Sequence, residues 1–423
     1  MNSLEDKVKT SLRQTAEEIR PHQVPPLRLA GGHRIRHAWY ARRHRMSPWL
    51  VPLTAAAAVA AVLAASVGIS SAIHPGPQAP AAASQTIPAS TLAKVPAYFV
   101  GLTGGVPDQQ RRAVVAATAT GKTLATVTPP KPYGAFDWVA AAADDHTFVL
   151  AAQRWVPISH WKLEPVTFFR LVLTAAGKPG RLTRLPIAPV KNFISAITLS
   201  PDGSKLAVAV DGPGDTNRDP GIQVFDTATG KSRQWVWPGT GWIGVDKPTG
   251  QALSWAADNR TLEFQQHIGP NGGTFQVRLL DTAARGRSLR STKVVIDVPG
   301  GAITRQIFGN TMLTPDGTKI VAPTRVFHGP LQHLTEDLAI TEFATSTGDP
   351  VRTLGRVRFK KVEAWQEVEW TDHTGGTLVL ASSRPGTGNR NHLAPVVLGI
   401  QDGNKFLPLP AGVQKFNPEE TVW

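Results

Sequence analysis

The stretch TLSPDGSKLAVAV (Thr198–Val210) decides how the rest of the chain is read. Two apolar runs flank a Ser-Pro-Asp-Gly turn, in which Pro presets φ, Asp bonds nearby backbone and Gly accepts positive φ. The same form returns as LSWAADNRTLEFQ (Leu253–Gln265), MLTPDGTKIVAPT (Met312–Thr324) and VEWTDHTGGTLVLAS (Val368–Ser382), with AAADDHTFVLAA (Ala141–Ala152) a weaker copy. The turn centres expected from these copies are His146, Gly203, Asn259, Gly317 and Gly375, spaced 56 to 58 residues apart. A period of that length marks a repeat architecture.

A second signature alternates with the first. The pentapeptide TATGK occurs as Thr118–Lys122 and Thr227–Lys231, inside VVAATATGKTLATV (Val114–Val127) and VFDTATGKSRQWVW (Val224–Trp237). Followed by Thr123 or Ser232, it looks like half of a phosphate-binding loop. That loop needs another glycine five residues before its Gly-Lys, and Ala116 and Phe225 stand there instead. The motif therefore reads as a hairpin turn, with Lys122 and Lys231 in water and Gly121 and Gly230 at positive φ. Degenerate copies place further glycines at Gly177, Gly286, Gly348 and Gly403, which makes six units of 53 to 62 residues. Gly121, Gly177, Gly203, Gly230, Gly317 and Gly348 are the expected blade turns.

Two hairpins per unit make a four-stranded propeller blade. The chain resembles TolB-like and YVTN-type (WD40-like) propeller repeats, whose hallmarks are W/L-S-P-D-G-x-x-L-A and V-x-D-x-x-T-G-K. Leu199–Ala207, Trp255–Leu262, Leu313–Val321, Val224–Lys231 and Ala113–Lys122 carry the resemblance, which covers about Val95 to Trp423. It implies an all-β, six-bladed β-propeller, with seven blades the alternative count. The first unit lacks a front strand, while VQKFNPEETVW (Val413–Trp423) is left over at the back. That segment is expected to supply the missing strand and hide two open edges.

Upstream, Trp49–Ile73 carries no charge over 25 positions, long enough for a membrane span at roughly 20 residues. Arg34, Arg36, Arg42, Arg43 and Arg45 crowd its N-terminal side, and the next charge after it is Lys94. The positive-inside rule then puts the N-terminus in the cytoplasm and the propeller outside, with Trp49 as an interfacial anchor. Because the leader is far longer than that of a secretory signal, a retained anchor is favoured over a cleaved one. Residues 3–20 read as an amphipathic helix capped by Ser3 and stopped by Pro21, with Leu4, Val8, Leu12 and Ile19 as a partner-binding stripe. The expected organisation is a cytoplasmic helix and basic segment (1–47), a transmembrane helix (48–73), a Pro/Ala/Ser linker (74–93) and the extracellular propeller (94–423). The composition resembles that of single-pass envelope proteins of actinobacteria.

The net charge is +14, and residues 1–47 hold ten Lys or Arg against four acidic residues. That placement serves topology and anionic lipid, not nucleic acid. Cysteine is absent, which excludes disulfides and thiolate metal sites. PGTGWIG (Pro238–Gly244) matches a dinucleotide fingerprint formally, but Pro248 and Gly250 prevent the helix such a site requires. Asp215, Asn217 and Asp219 have the 1-3-5 spacing of a calcium loop, yet Pro220 stands where that loop needs glycine. They are a weak calcium candidate against an ordinary acidic blade loop, and no other cofactor is expected. No serine nucleophile elbow is present, and Glu336, Asp337, Glu363, Glu367 and Glu369 resolve into no ligand set.

Trp255 and Trp370 occupy core positions of their repeats. The leading expectation is a non-enzymatic envelope binding or sensing protein, with a protein or wall-polymer partner outside and an anti-sigma-like relay to a cytoplasmic partner. The alternatives are a propeller enzyme with channel-borne metal ligands and a structural envelope component.

Overall fold

The computed structural model describes residues 87–103, 111–154, 164–211, 220–237, 242–243, 253–268, 274–298, 305–307, 310–328, 335–359, 365–383, 397–416 and 421–423. The expected cytoplasmic helix, membrane span and most of the linker lie outside them. Among the described residues no helix is long and apolar enough to cross a membrane.

Six antiparallel sheets form among the described residues, one per blade. From the innermost strand outward, blade II is Tyr133–Ala141, Thr147–Arg154, Thr167–Val172 and Thr183–Arg184, and blade III is Phe193–Leu199, Lys205–Asp211, Gly221–Asp226 and Ser232–Val236. Blade VI is Trp365–Thr371, Thr377–Ser383, Val397–Asp402 and Lys405–Pro408. Blades IV and V have an innermost strand in two pieces. In blade IV, Trp242–Ile243 and Leu253–Trp255 both pair with Thr261–Ile268, followed by Thr274–Asp281 and Lys293–Val298. In blade V, Arg305–Ile307 and Met312–Leu313 both pair with Lys319–His328, followed by Thr335–Ala344 and Pro350–Phe359. The count is six, and the seven-blade alternative is not realised.

Blade I is built from both ends of the domain. Tyr98–Thr103, Arg112–Ala117 and Thr123–Val127 take their innermost partner from Thr421–Val422, with Val100 opposite Val422 and Gly101 opposite Thr421. Other described residues of the C-terminal segment are packed against this blade. Phe416 meets Phe99 edge-on at 4.9 Å between ring centroids, Trp423 stacks on Phe99 at 5.2 Å, and Val413 is fully buried.

An apolar cluster fills every seam between neighbouring blades, including the one between VI and I, so the ring is closed. Trp235, Trp237 and Trp255 are buried in the III–IV seam. Trp370 is only half-buried, against the VI–I cluster, so it is less a core residue than its repeat position implies.

The two sequence signatures prove to be one device. In blade III, Thr227 of TATGK donates its hydroxyl to the Gly203 carbonyl at 2.8 Å and its N–H to Ser204 at 2.9 Å. Thr345 does the same to Gly317 and Thr318, both at 2.9 Å. The outer hairpin thereby satisfies buried carbonyls of the inner one.

Successive inner turns are also tied to each other: Ala143 N–H donates to Pro201 O at 3.0 Å, Ala257 N–H to Pro315 O at 2.7 Å, and Asp202 N–H to Asn259 Oδ1 at 3.2 Å. Gly121, Gly177, Gly203, Gly230, Gly317 and Gly348 sit at φ between 65° and 78°. In blade II the left-handed residue is Asp145 (φ 60°), not the expected His146, because Asp144 Oδ1 accepts from the N–H groups of His146 and Thr147 and starts the turn one residue earlier.

Candidate functional site

All the innermost hairpins and all the outer hairpins turn at one end of the strands. Connections from second to third strand, and from blade to blade, leave from the other end. One face of the ring is thus a mesh of bonded turns, and the opposite face is where the longer connections emerge.

Blade IV departs from the other five where its strands face blade V. The third residue of the second strand is Val100, Val149, Ala207, Val321 or Val379 elsewhere, but Glu263 here. The fifth is Leu102, Ala151, Ala209, Pro323 or Ala381 elsewhere, but Gln265 here. Period-two alternation sends both side chains to the same side of the sheet. Glu263 accepts from Ser254 Oγ at 2.7 Å and from Thr311 Oγ1 at 2.6 Å, while Gln265 Nε2 donates to Thr311 Oγ1 at 2.8 Å. Ser254 Oγ also accepts the Leu313 N–H at 2.7 Å, so the network crosses the IV–V seam.

All of these side chains are buried, and Gln265 Oε1 and Asn310 Oδ1 make no hydrogen bond. The network lies beside the breaks in both innermost strands. A buried carboxyl flanked by amides and hydroxyls can hold a proton or a polar guest, at a cost in stability if left ionised.

Burial pushes the Glu263 carboxyl up to about 8, against the Thr311 and Ser254 hydrogen bonds that favour the anion. Below the ordinary Glu range both folded and unfolded chains carry the proton. Between that range and about pH 8 only the unfolded chain has lost it, so Glu263 makes the fold less stable as pH rises across this window. The loss is at most about 1.4 kcal/mol per pH unit. Glu263→Gln should therefore flatten the decline in urea midpoint between pH 5 and pH 8. Parallel pH profiles for the two proteins would show that Glu263 ionises normally.

The buried carboxylates of blade V are paired instead. Arg325 contacts Glu336, whose carboxyl is raised by burial and lowered again by that guanidinium. Glu342 receives Lys319 at 3.2 Å and Arg352. His328, half-exposed where its strand meets the open face, holds buried Asp337 through Nε2 at 3.0 Å. That pair can grip a polar group at the open face.

Bulges re-aim single side chains of innermost strands. Asp137 sits at one, 3.7 Å from Arg111, and Ser195 and Glu369 sit at two others. Glu336 and Asp337 thus lie on the third strand of blade V and Glu369 on the first of blade VI. Glu367 lies on that same blade VI strand, and Glu363 falls outside the described residues. Among the described residues no three His, Asp or Glu converge as metal ligands.

Asp215, Asn217 and Asp219 lie outside the described residues, as do Leu4, Val8, Leu12, Ile19, the five arginines from Arg34 to Arg45 and Trp49. Lys122 and Lys231 are exposed. The IV–V network escaped the sequence reading; the polar run EFQQH (Glu263–His267) in an otherwise apolar repeat position was the signal available.

No protein-family model and no curated protein sequence matches the chain. Among solved structures it is similar to a putative TolB from Agrobacterium tumefaciens, at 12% identity over 77% of this chain and 95% of that one, with a TM-score of 0.40. The propeller domain of the Trilobed protease from Pyrococcus furiosus gives 15% identity, 66% and 72% coverage and a TM-score of 0.36. Oligogalacturonate lyase from Vibrio parahaemolyticus gives 8% identity, 74% and 85% coverage and a TM-score of 0.36. Likenesses of this size say nothing of activity, and the propeller stands on the chain's own strand pairing.

Proposed function

We propose that the chain is a membrane-anchored binding protein whose propeller meets a partner outside the membrane through its open face. One contrast carries this reading. The five described connections between first and second strands, at the centre of the turn face, are all five residues long, whereas those between second and third strands run from five to thirteen. On the turn face only the outer hairpins at its rim vary comparably, from two to eleven. Loops that vary in length over a rigid scaffold are where recognition is placed. The apolar segment 49–73 with arginines on its N-terminal side supports the anchor, and the stripe Leu4, Val8, Leu12, Ile19 supports a cytoplasmic partner.

The full chain tests both parts. A reporter active only in the cytoplasm should work when fused before Arg34 and fail when fused after Leu92; activity from the second fusion would overturn the topology. Photo-cross-linkers at Arg154 or His328, exposed on the open face, should trap a partner in the native envelope, while those at Ser204 or Thr318 on the turn face should not. Equal trapping from both faces, or none from either, would overturn the binding reading.

A further inference from the structure

The positive charge of the propeller is concentrated on its circumference. The outer hairpin and fourth strand of the six blades comprise residues 118–127, 173–184, 227–236, 282–298, 345–359 and 403–408. These segments hold fourteen Lys or Arg and two acidic residues. The remainder of 94–423 holds 21 Lys or Arg and 25 acidic residues, so it is slightly negative. A solvated surface mixes both signs; on these outer segments positive charge prevails, with Asp226, Asp281 and Asp402 at their edge, each ending a third strand.

Packing makes the belt continuous from blade III to blade V. Arg233 of blade III reaches across to the carbonyls of Thr282, Ala284 and Gly286 in blade IV, and Lys293 of blade IV reaches Thr345 O at 2.8 Å and Ser346 O at 3.1 Å in blade V. Carbonyls hold these cations in place without neutralising them. Arg352 is paired with Glu342. Arg181, Arg184, Arg285, Arg287 and Lys405 are exposed.

Between blades III and IV the belt contains a groove of about 270 Å³ lined by Lys205, Lys231, Ser232 and Arg233 over the Trp235 ring. Asp226 also lines it, with its carboxylate bonded to the N–H groups of Ala228 and Thr229 in its own turn.

We infer that this circumference binds a linear phosphate-bearing polymer, with its backbone running along the outer strands. Nine of the fourteen cations are Arg, whose planar fork takes two oxygens of one phosphate. Twelve of the fourteen lie along blades II to V, a curved run that a flexible chain can follow and a flat bilayer meets only in part. The inference concerns the circumference and stands whether or not the open face binds a partner.

The test uses the full chain in neutral detergent micelles and labelled inorganic polyphosphate. Affinity should fall steeply with salt, as counterion release requires. The quadruple variant R181E/R184E/R285E/R287E should bind about tenfold or more weakly at low salt, with a log–log salt slope shallower by about 0.7 for each phosphate that is no longer neutralised. K131E/K191E, two charge reversals at exposed connectors two residues before the innermost strands of blades II and III, should change affinity less than about threefold.

Thermal melts establish that both variants are folded. If a melt shows the quadruple variant unfolded, the pairs R181E/R184E and R285E/R287E carry the same comparison separately. Equal weakening by rim and off-rim variants, or no binding by the wild type, would overturn the inference. Tighter binding to phosphatidylglycerol vesicles than to polyphosphate would overturn the polymer in favour of a membrane surface.

Discussion

Truncation before Val413 should leave a chain that no longer unfolds cooperatively. The segment removed contains the innermost strand of blade I and four buried or half-buried apolar side chains, Val413, Phe416, Val422 and Trp423, in the VI–I and I–II seams. Each buried side chain of this size contributes about 1.5–3 kcal/mol, and whole-domain stability is typically about 5–15 kcal/mol. Losing them together, with the edge of Tyr98–Thr103 left unpaired, consumes most or all of it. The milder variant Trp423→Ala removes the ring stacked on Phe99 and should cost about 3–5 kcal/mol in urea unfolding. A truncated protein that melts at the wild-type temperature would show that the ring does not depend on this strand.

The second large effect is expected at Gly230. It sits at φ +71°, where a β-carbon costs about 1–2 kcal/mol. A side chain there would also run into the backbone carbonyl of Pro186, in the connector from blade II to blade III. Backbone cannot swing aside like the end of a long side chain, so overpacking adds roughly 1–3 kcal/mol. Gly230→Val should therefore destabilise the fold by about 2–5 kcal/mol, while Lys231→Ala, at an exposed side chain, should stay within about 0.5 kcal/mol. Neither protein should bind a single nucleotide tightly. Tight, Lys231-dependent binding of one nucleotide by the wild type, or an indifferent Gly230→Val, would refute the docked-turn account.

Docking also explains which repeats could be read from the sequence. Gly121 packs on the backbone of Gly412 and Val413, Gly230 on Pro186 and Gly348 on Val295, and these turns keep the form T-x-T-G. Gly286 and Gly403 face open space, and their turns have drifted to TAARG and QDGN. A turn pressed against backbone tolerates one residue type, whereas a turn in water tolerates many. The blade count, the six turn glycines and the C-terminal closing strand were legible because local spacing encodes them.

The IV–V network was not legible, because Thr311 and Leu313 meet Gln265, Glu263 and Ser254 only across a seam, 46 to 59 residues apart along the chain. The belt of charge was hidden for a similar reason. Its members are scattered in sequence and share only a distance from the ring's axis.

The pairing of Val100 with Val422 also sets an order of events in time. Among the described residues every other pairing within a blade joins segments near in sequence, so blades II to VI can each form early as a local meander. Closing the first blade must bring together positions more than three hundred residues apart, for only a two-residue strand and its aromatic anchors. That step carries the largest loop-closure entropy and belongs at the end of folding. Until it occurs, the chain is an open crescent with two bare β-edges, and each molecule can close on itself or on the complementary edge of a second crescent. Dilution during refolding should therefore favour closed rings over exchanged dimers.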